Sequence, residues 1–142
     1  MELLHYTGMM IETPGFMDTE SGLANLRYLR RLTAQNDTAI SPQEAMKVVG
    51  LDPGNKKHVG KYSLGMRQRL GIAQAIMEGP RLLILDEPMN GLDNQGVEDM
   101  RRLLLDFRNR GVTILLASHN PLDVSLLCDQ VFTIDGGILR RQ

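Results

Sequence analysis

The sequence predicts an α/β fold, a parallel sheet with helices packed on it and a helical lobe ahead of it. Leu82-Leu83-Ile84-Leu85 is an unbroken apolar run. That pattern suits a strand buried on both faces of a parallel sheet, where in–out alternation disappears. Val112 to Ala117 is a second run of the same kind, with a helical pattern between the two. Strand–helix alternation argues for parallel topology. The stretch from about 13 to 79 reads instead as two or three helices with little strand. The organisation expected is therefore a helical subdomain over about 13–79 and an α/β core over 80–142.

The elements follow in order. Leu3 to Ile11 is mildly apolar and ends at Glu12-Thr13-Pro14-Gly15, a short strand followed by a turn. Ser21 can cap a helix to about Thr33, with Leu23, Leu26, Leu29 and Leu32 along one side and Arg27, Arg30 and Arg31 on a solvated side. Ser41-Pro42-Gln43-Glu44 is a capping box with proline at the first helical position, opening a helix to about Val49. Leu51 to Tyr62 reads as loop. A helix from Ser63 to about Glu78 has Met66, Leu70, Ala73 and Ile76/Met77 on a core side, and Gly79-Pro80 ends it. Pro88 cannot donate to a strand ladder, so the central strand stops there. The next helix runs to about Arg110 with Val97, Met100, Leu103/Leu104 and Phe107 inward, and Gly111 stops it. Asn120-Pro121 opens a helix to about Cys128. Val131 to Ile134 is a third strand, and Asp135-Gly136-Gly137 turns the chain into a last one, Ile138 to Arg140.

Composition narrows the function classes. A chain of 142 residues with 42% hydrophobic and 23% charged residues suits one globular domain. The net charge of -1 and the absence of Trp give no argument for nucleic acid. One cysteine, Cys128, rules out an internal disulfide framework and fits a reducing compartment. No apolar run approaches the roughly 18 residues of a membrane span. If this protein works at a membrane, a partner supplies the membrane part.

The chemistry-bearing stretches begin with Asp86-Glu87, delivered to the carboxyl end of the central strand, where open α/β sheets place their ligands. Two adjacent carboxylates there ask for a cation or a proton. They read either as a Walker B strand, with Asp86 near Mg²⁺ and Glu87 activating water, or as an acidic lead-in to the next helix. Ser63-Leu64-Gly65 lies at a helix start; Ser63 is either a simple N-cap or part of a phosphate site of bare backbone N–H groups. Ser118-His119 ends the second strand on the same edge as Glu87, and His119 is either a helix-start histidine or part of that site.

Together, Ser63-Leu64-Gly65-Met66-Arg67-Gln68-Arg69, Leu82 to Pro88, Gly91-Leu92-Asp93 and Ser118-His119 resemble, in order and spacing, the nucleotide-binding domain of ABC ATPases, a P-loop NTPase-like fold. The variant Tyr62 to Arg69 is similar to the bacitracin-resistance and lantibiotic-immunity exporters. The resemblance implies that Asp86 is the Walker B aspartate near Mg²⁺ and Glu87 the general base. It implies that His119 is the switch histidine on the γ-phosphate and Asp93 the D-loop aspartate. It makes Ser63 and Gly65 signature-loop contacts to the nucleotide of an opposite subunit. Leu64 and Met66 stand where the family has glycine and glutamine, and Glu12 stands where it has the Q-loop glutamine. ATP and Mg²⁺ are implied as substrate and metal. A second nucleotide-binding domain and a membrane-spanning permease are implied as partners, with no nucleic acid, at the inner face of the cell membrane.

No G-x-x-x-x-G-K-[ST] occurs in these residues. By the resemblance the chain looks like the carboxyl-terminal part of such a domain, lacking the Walker A loop and inactive in hydrolysis alone. The strand bearing that loop lies, in the family, beside the strand that ends at the switch histidine. Its absence is expected to leave the Val112–Ala117 edge open and the chain unstable or completed by another. Two further readings stay open at this point: a non-catalytic remnant that completes another domain, and a non-transport ABC ATPase.

Overall fold

The computed structural model describes residues 6–12, 15–33 and 37–142. The start of the predicted first strand, Leu3 to His5, and the Thr13-Pro14 part of the predicted turn lie outside them. Strand β1 (Thr7–Met10) is followed by helices α1 (Gly22–Leu32), α2 (Pro42–Val48) and α3 (Leu64–Met77). Then come β2 (Leu82–Asp86), α4 (Asn94–Asn109), β3 (Thr113–Ala117), α5 (Pro121–Leu127), β4 (Phe132–Asp135) and β5 (Ile138–Arg141). A short 3₁₀ turn, Val59–Lys61, interrupts the predicted 51–62 loop.

The sheet order is β1-β2-β3, all parallel, with Met10 opposite Leu85 and Asp86 opposite Ala117. The carboxyl ends of the three strands therefore share one edge. On one face Gly8, Met10, Leu83 and Leu85 are buried, and burying each leucine side chain is worth about 1.5–3 kcal/mol. Helix α3 lies against this face at very short range. A Cβ on Gly8 would stand 1.9 Å from the Ala75 carbonyl oxygen, so only glycine lets β1 and α3 approach this closely.

Helix α3 carries the core. One apolar side was expected; instead Leu70, Gly71, Ile72, Ala73, Ala75, Ile76 and Met77 are all buried. The physical reason is that α3 is sandwiched, with α1 and α2 on one side and β1 on the other, so from Leu70 onward nearly every position is covered. Its contacts with α1 and α2 meet around Gly22, where a Cβ would crowd the Tyr62 hydroxyl, Met46 and Leu70. The α2 capping box forms as predicted: Ser41 Oγ accepts from the Glu44 N–H and the Glu44 carboxylate from the Ser41 N–H.

Two expectations for α1 need correction. Arg30 is not on a solvated face but makes a largely buried ion pair with Glu78 at 3.0 Å and also donates to the Met77 carbonyl. Leu32, at the end of α1, is on the outside, 66% exposed. The third strand also departs from expectation. It is turned into β5 by Gly136 and Gly137 at positive φ, the antiparallel pair expected from Asp135-Gly136-Gly137, but this hairpin stands apart from the parallel sheet. An apolar run says strand, but not which sheet it joins.

Among the described residues nothing covers the opposite face of the sheet at Met9 and Leu115. Met9, Ile84 and Leu115 form one cross-strand row on it, with Met9 52% and Leu115 61% exposed. β3 is an edge strand, with no neighbour beyond it in the sheet among the described residues. Among the described residues no helix is long and apolar enough to cross a membrane.

Candidate functional site

The site is built where β2 ends. Pro88 stops the strand, and the chain turns at Glu87, which adopts a φ of 47°. That left-handed value is unusual for any residue with a Cβ, and more so before proline, whose ring favours extended backbone in the residue it follows. The Glu87 N–H donates to the Ala117 carbonyl at 2.9 Å, which locks the turn to the end of β3. The Glu87 carbonyl accepts from the Asn90 N–H at 3.1 Å and from Gln68 Nε2 at 2.8 Å.

From β3 the chain passes through Ser118 and His119 into α5. Asn120 caps that helix by accepting from the Leu122 N–H at 2.9 Å, and Ser118 Oγ accepts from the Asn120 N–H. His119 is thus set on a two-residue turn with its ring almost fully exposed, and its Nδ1 meets Oε1 of Glu87. The imidazole and carboxylate can pass a proton between them or hold a water from two sides. Asp86, half-buried, sits beside them as the last residue of β2. Asp123, in the first turn of α5, is buried and paired with Arg101 of α4 at 2.6 Å, which anchors the helix that His119 precedes.

Glu12 lies on the same edge one strand over, exposed and also at positive φ, 58°. The loop beyond it is held by Asn25, buried, whose side chain accepts from the Met17 N–H and donates to the Met17 and Ser21 carbonyls. Arg67 pairs with Asp18 and ties the start of α3 to this loop.

Ser63 and Asp93 both cap helices. Ser63 Oγ accepts from the Met66 N–H at 3.1 Å, and Asp93 Oδ1 from the Gly96 N–H at 2.8 Å. Each keeps further capacity: the serine a hydroxyl hydrogen, the aspartate a second oxygen. Gly65, in the first turn of α3, faces the loop after Glu87, where a Cβ would come within 2.8 Å of the Gly91 carbonyl oxygen. Leu64 leans on Gly91 itself, so its bulk is directed into that loop. Asp86, Glu87 and His119 are therefore gathered at one sheet end, with Glu12 on the same edge. Ser63, Gly65 and Asp93 are joined to them through the 88–92 loop.

Reading the sequence missed Gln68. It is quoted within the signature stretch yet given no role, although its side chain touches the backbone of Glu87. Its neighbours Arg67 and Arg69 make it look like part of a polar stretch; what marks it is its burial, since a buried amide needs a partner.

The donor set suits Mg²⁺. Hard carboxylate oxygens at Asp86 and Glu87 match an ion that takes one or two carboxylates and keeps several waters, rather than a dedicated protein cage. Among the described residues no group of three His, Cys, Asp or Glu side chains forms such a cage.

The family profile described as ABC transporter matches residues 6–90. The chain is 42% identical over 140 residues to the bacitracin transport ATP-binding protein BcrA of Bacillus licheniformis, covering 97% of this chain and 45% of that protein. It is 36% identical over 137 residues to the lantibiotic transport ATP-binding protein SrtF of Streptococcus pyogenes, covering 96% of this chain and 59% of that one. The chain thus spans about half the length of the curated relatives it matches. In fold it is similar to the dimeric structure of MJ0796, a bacterial ABC transporter cassette, with a TM-score of 0.81 at 18% identity over 95% of this chain and 62% of that one. It is also similar to the same cassette in a post-hydrolysis state bound to ADP and Pi, with a TM-score of 0.79. The ordered motifs, the parallel sheet that gathers them and the profile match agree, and the chain belongs to the ABC transporter family.

Proposed function

We propose that this chain supplies the hydrolytic edge of an ATP-driven export cassette. The observation that carries the reading is the meeting of Glu87 and His119 at the ends of β2 and β3, beside Asp86. Glu87 is the general base: its carboxylate takes the proton of the attacking water. General-base catalysis of this kind contributes about 10²–10⁴ in rate. His119 donates to the γ-phosphate and cancels part of its developing charge. Asp86 would hold Mg²⁺, which would supply positive charge against the phosphate oxygens. Glu12 approaches the same region from β1. Ser63 and Gly65 reach the nucleotide of a second cassette, and Asp93 lies at the seam between the two.

No phosphate loop is among these residues, so hydrolysis is proposed for the chain within a complete cassette and not for the chain alone. The partners proposed are a second nucleotide-binding domain and a membrane-spanning permease, at the inner face of a bacterial membrane. The bacitracin and lantibiotic names of the relatives support peptide antibiotics as the exported class.

The test is Glu87→Gln in the assembled cassette. Hydrolysis falls by at least about 10² while nucleotide binding persists. Unchanged turnover would remove the role given to Glu87. Full hydrolysis by the 142-residue chain alone would overturn the division of labour.

A further inference from the structure

Helix α3 touches the site at two places. Its first turn, with Leu64 and Gly65, is seated on Gly91. Four residues on from Leu64, about 6 Å along the axis, Gln68 donates through Nε2 to the Glu87 carbonyl at 2.8 Å. Gln68 is buried, so this bond is shielded from competing water. Glu87 needs the support. A residue with a Cβ held at a φ of 47° stays there only when its surroundings overdetermine it. The Ala117 carbonyl holds its N–H, and Gln68 and the Asn90 N–H hold its carbonyl.

We propose that Gln68 is a positioning residue for Glu87, and that through it the seating of the Ser63–Gly65 end of α3 sets the aim of the carboxylate in the same chain. This rests on the hydrolytic reading of Glu87 above. If Ser63 and Gly65 contact a nucleotide held mainly by a second cassette, Gln68 makes the closure of one site a condition for hydrolysis at the other. A shift of α3 that left Ser63 unseated would withdraw the Gln68 donor and release Glu87 from its left-handed turn.

The experiment is steady-state ATP hydrolysis by the assembled cassette, wild type against Gln68→Met and Gln68→Glu. Q68M keeps the volume and loses the donor. Its kcat falls about 10- to 100-fold while KM for Mg·ATP stays within about twofold, because a misaimed base slows turnover without loosening substrate. Q68E keeps the shape, and keeps the donor while its carboxyl is protonated. Its kcat relative to wild type therefore falls as pH rises and the carboxyl ionises. A Q68M kcat equal to wild type would overturn the proposal. So would a loss that only tracks the fraction of folded protein, or a Q68E ratio that matches Q68M at every pH. If the wild-type assembly hydrolyses no ATP, the hydrolytic reading fails. The positioning role is then read from a crystal structure of Q68M, where Glu87 leaves its left-handed φ if the role is right and keeps it if the role is wrong.

Discussion

Replacing Gly8 with alanine should destabilise the chain more than any other single-methyl change in β1. The added Cβ would lie 1.9 Å from the Ala75 carbonyl oxygen and 2.8 Å from its carbon, about 1.5 Å inside ordinary contact with the oxygen. The obstacle is helix backbone, so no side chain can rotate away, and α3 as a whole must retreat from β1. Over-packing costs about 1–3 kcal/mol, and a rigid backbone obstacle puts this case near the upper end. At the size of this chain about 3 kcal/mol corresponds to a fall in Tm of roughly 10 °C. Gly15→Ala is the control: nothing lies within 4 Å of its Cβ, so its effect stays within about 0.5 kcal/mol. Urea denaturation of both variants beside wild type measures the difference. A Gly8→Ala protein as stable as the Gly15→Ala control would refute the close approach of β1 and α3, and with it the placement of Gln68.

Further outcomes follow from the same structure. Ser41→Ala removes the α2 cap and costs about 1 kcal/mol by thermal melting. The Ser41 hydrogen bonds hold the Glu44 carboxyl below its ordinary range, so the stability it adds is present above the unfolded glutamate value and is lost as pH falls through the lower folded one. The Ser41→Ala chain shows less of this acid sensitivity. Asp123→Ala leaves the largely buried Arg101 with only the exposed Glu98 as its ion-pair partner and destabilises more in urea than Asp129→Ala, which loses a surface pair with Arg108. Burial, with Asp129 adding to it, pushes the Cys128 thiol up, so it reacts slowly with a disulfide reagent at neutral pH until the chain is unfolded. The uncovered Met9–Ile84–Leu115 face and the open β3 edge make the isolated chain self-associate. Leu115→Lys reduces that association in light scattering at little cost in Tm; a dispersed wild-type monomer would contradict it.

Much of this architecture can be read from residue patterns because local rules suffice for it. The run Leu82 to Pro88 carries its own stop signal, the Ser41 box its own caps, and α4 buries Met100, Leu104 and Phe107 at helical spacing. The gathering of Asp86, Glu87 and His119 follows once both strands are parallel, because their carboxyl ends then coincide. What escapes is settled between residues far apart in the chain. Arg30 finds Glu78 across 48 positions, and Gln68 finds the Glu87 carbonyl across 19. No spacing rule marks either pair. The positive φ of Glu87 is hidden for a related reason, since the residue is glutamate and the conformation is imposed by β3, α3 and the 88–92 loop together. The turn of the β4–β5 hairpin is legible in Asp135-Gly136-Gly137, but its separation from the parallel sheet is not, because strand character does not choose a sheet.

The function proposed above makes these residues the water and metal side of an ATP site, with no phosphate-holding G-x-x-x-x-G-K-[ST] loop among them. Titration of Mg·ATP into the 142-residue chain by calorimetry tests it most directly. The account predicts no binding at millimolar nucleotide. Clear binding would contradict it, since the chain would then hold the phosphates with groups other than the loop assigned to that task.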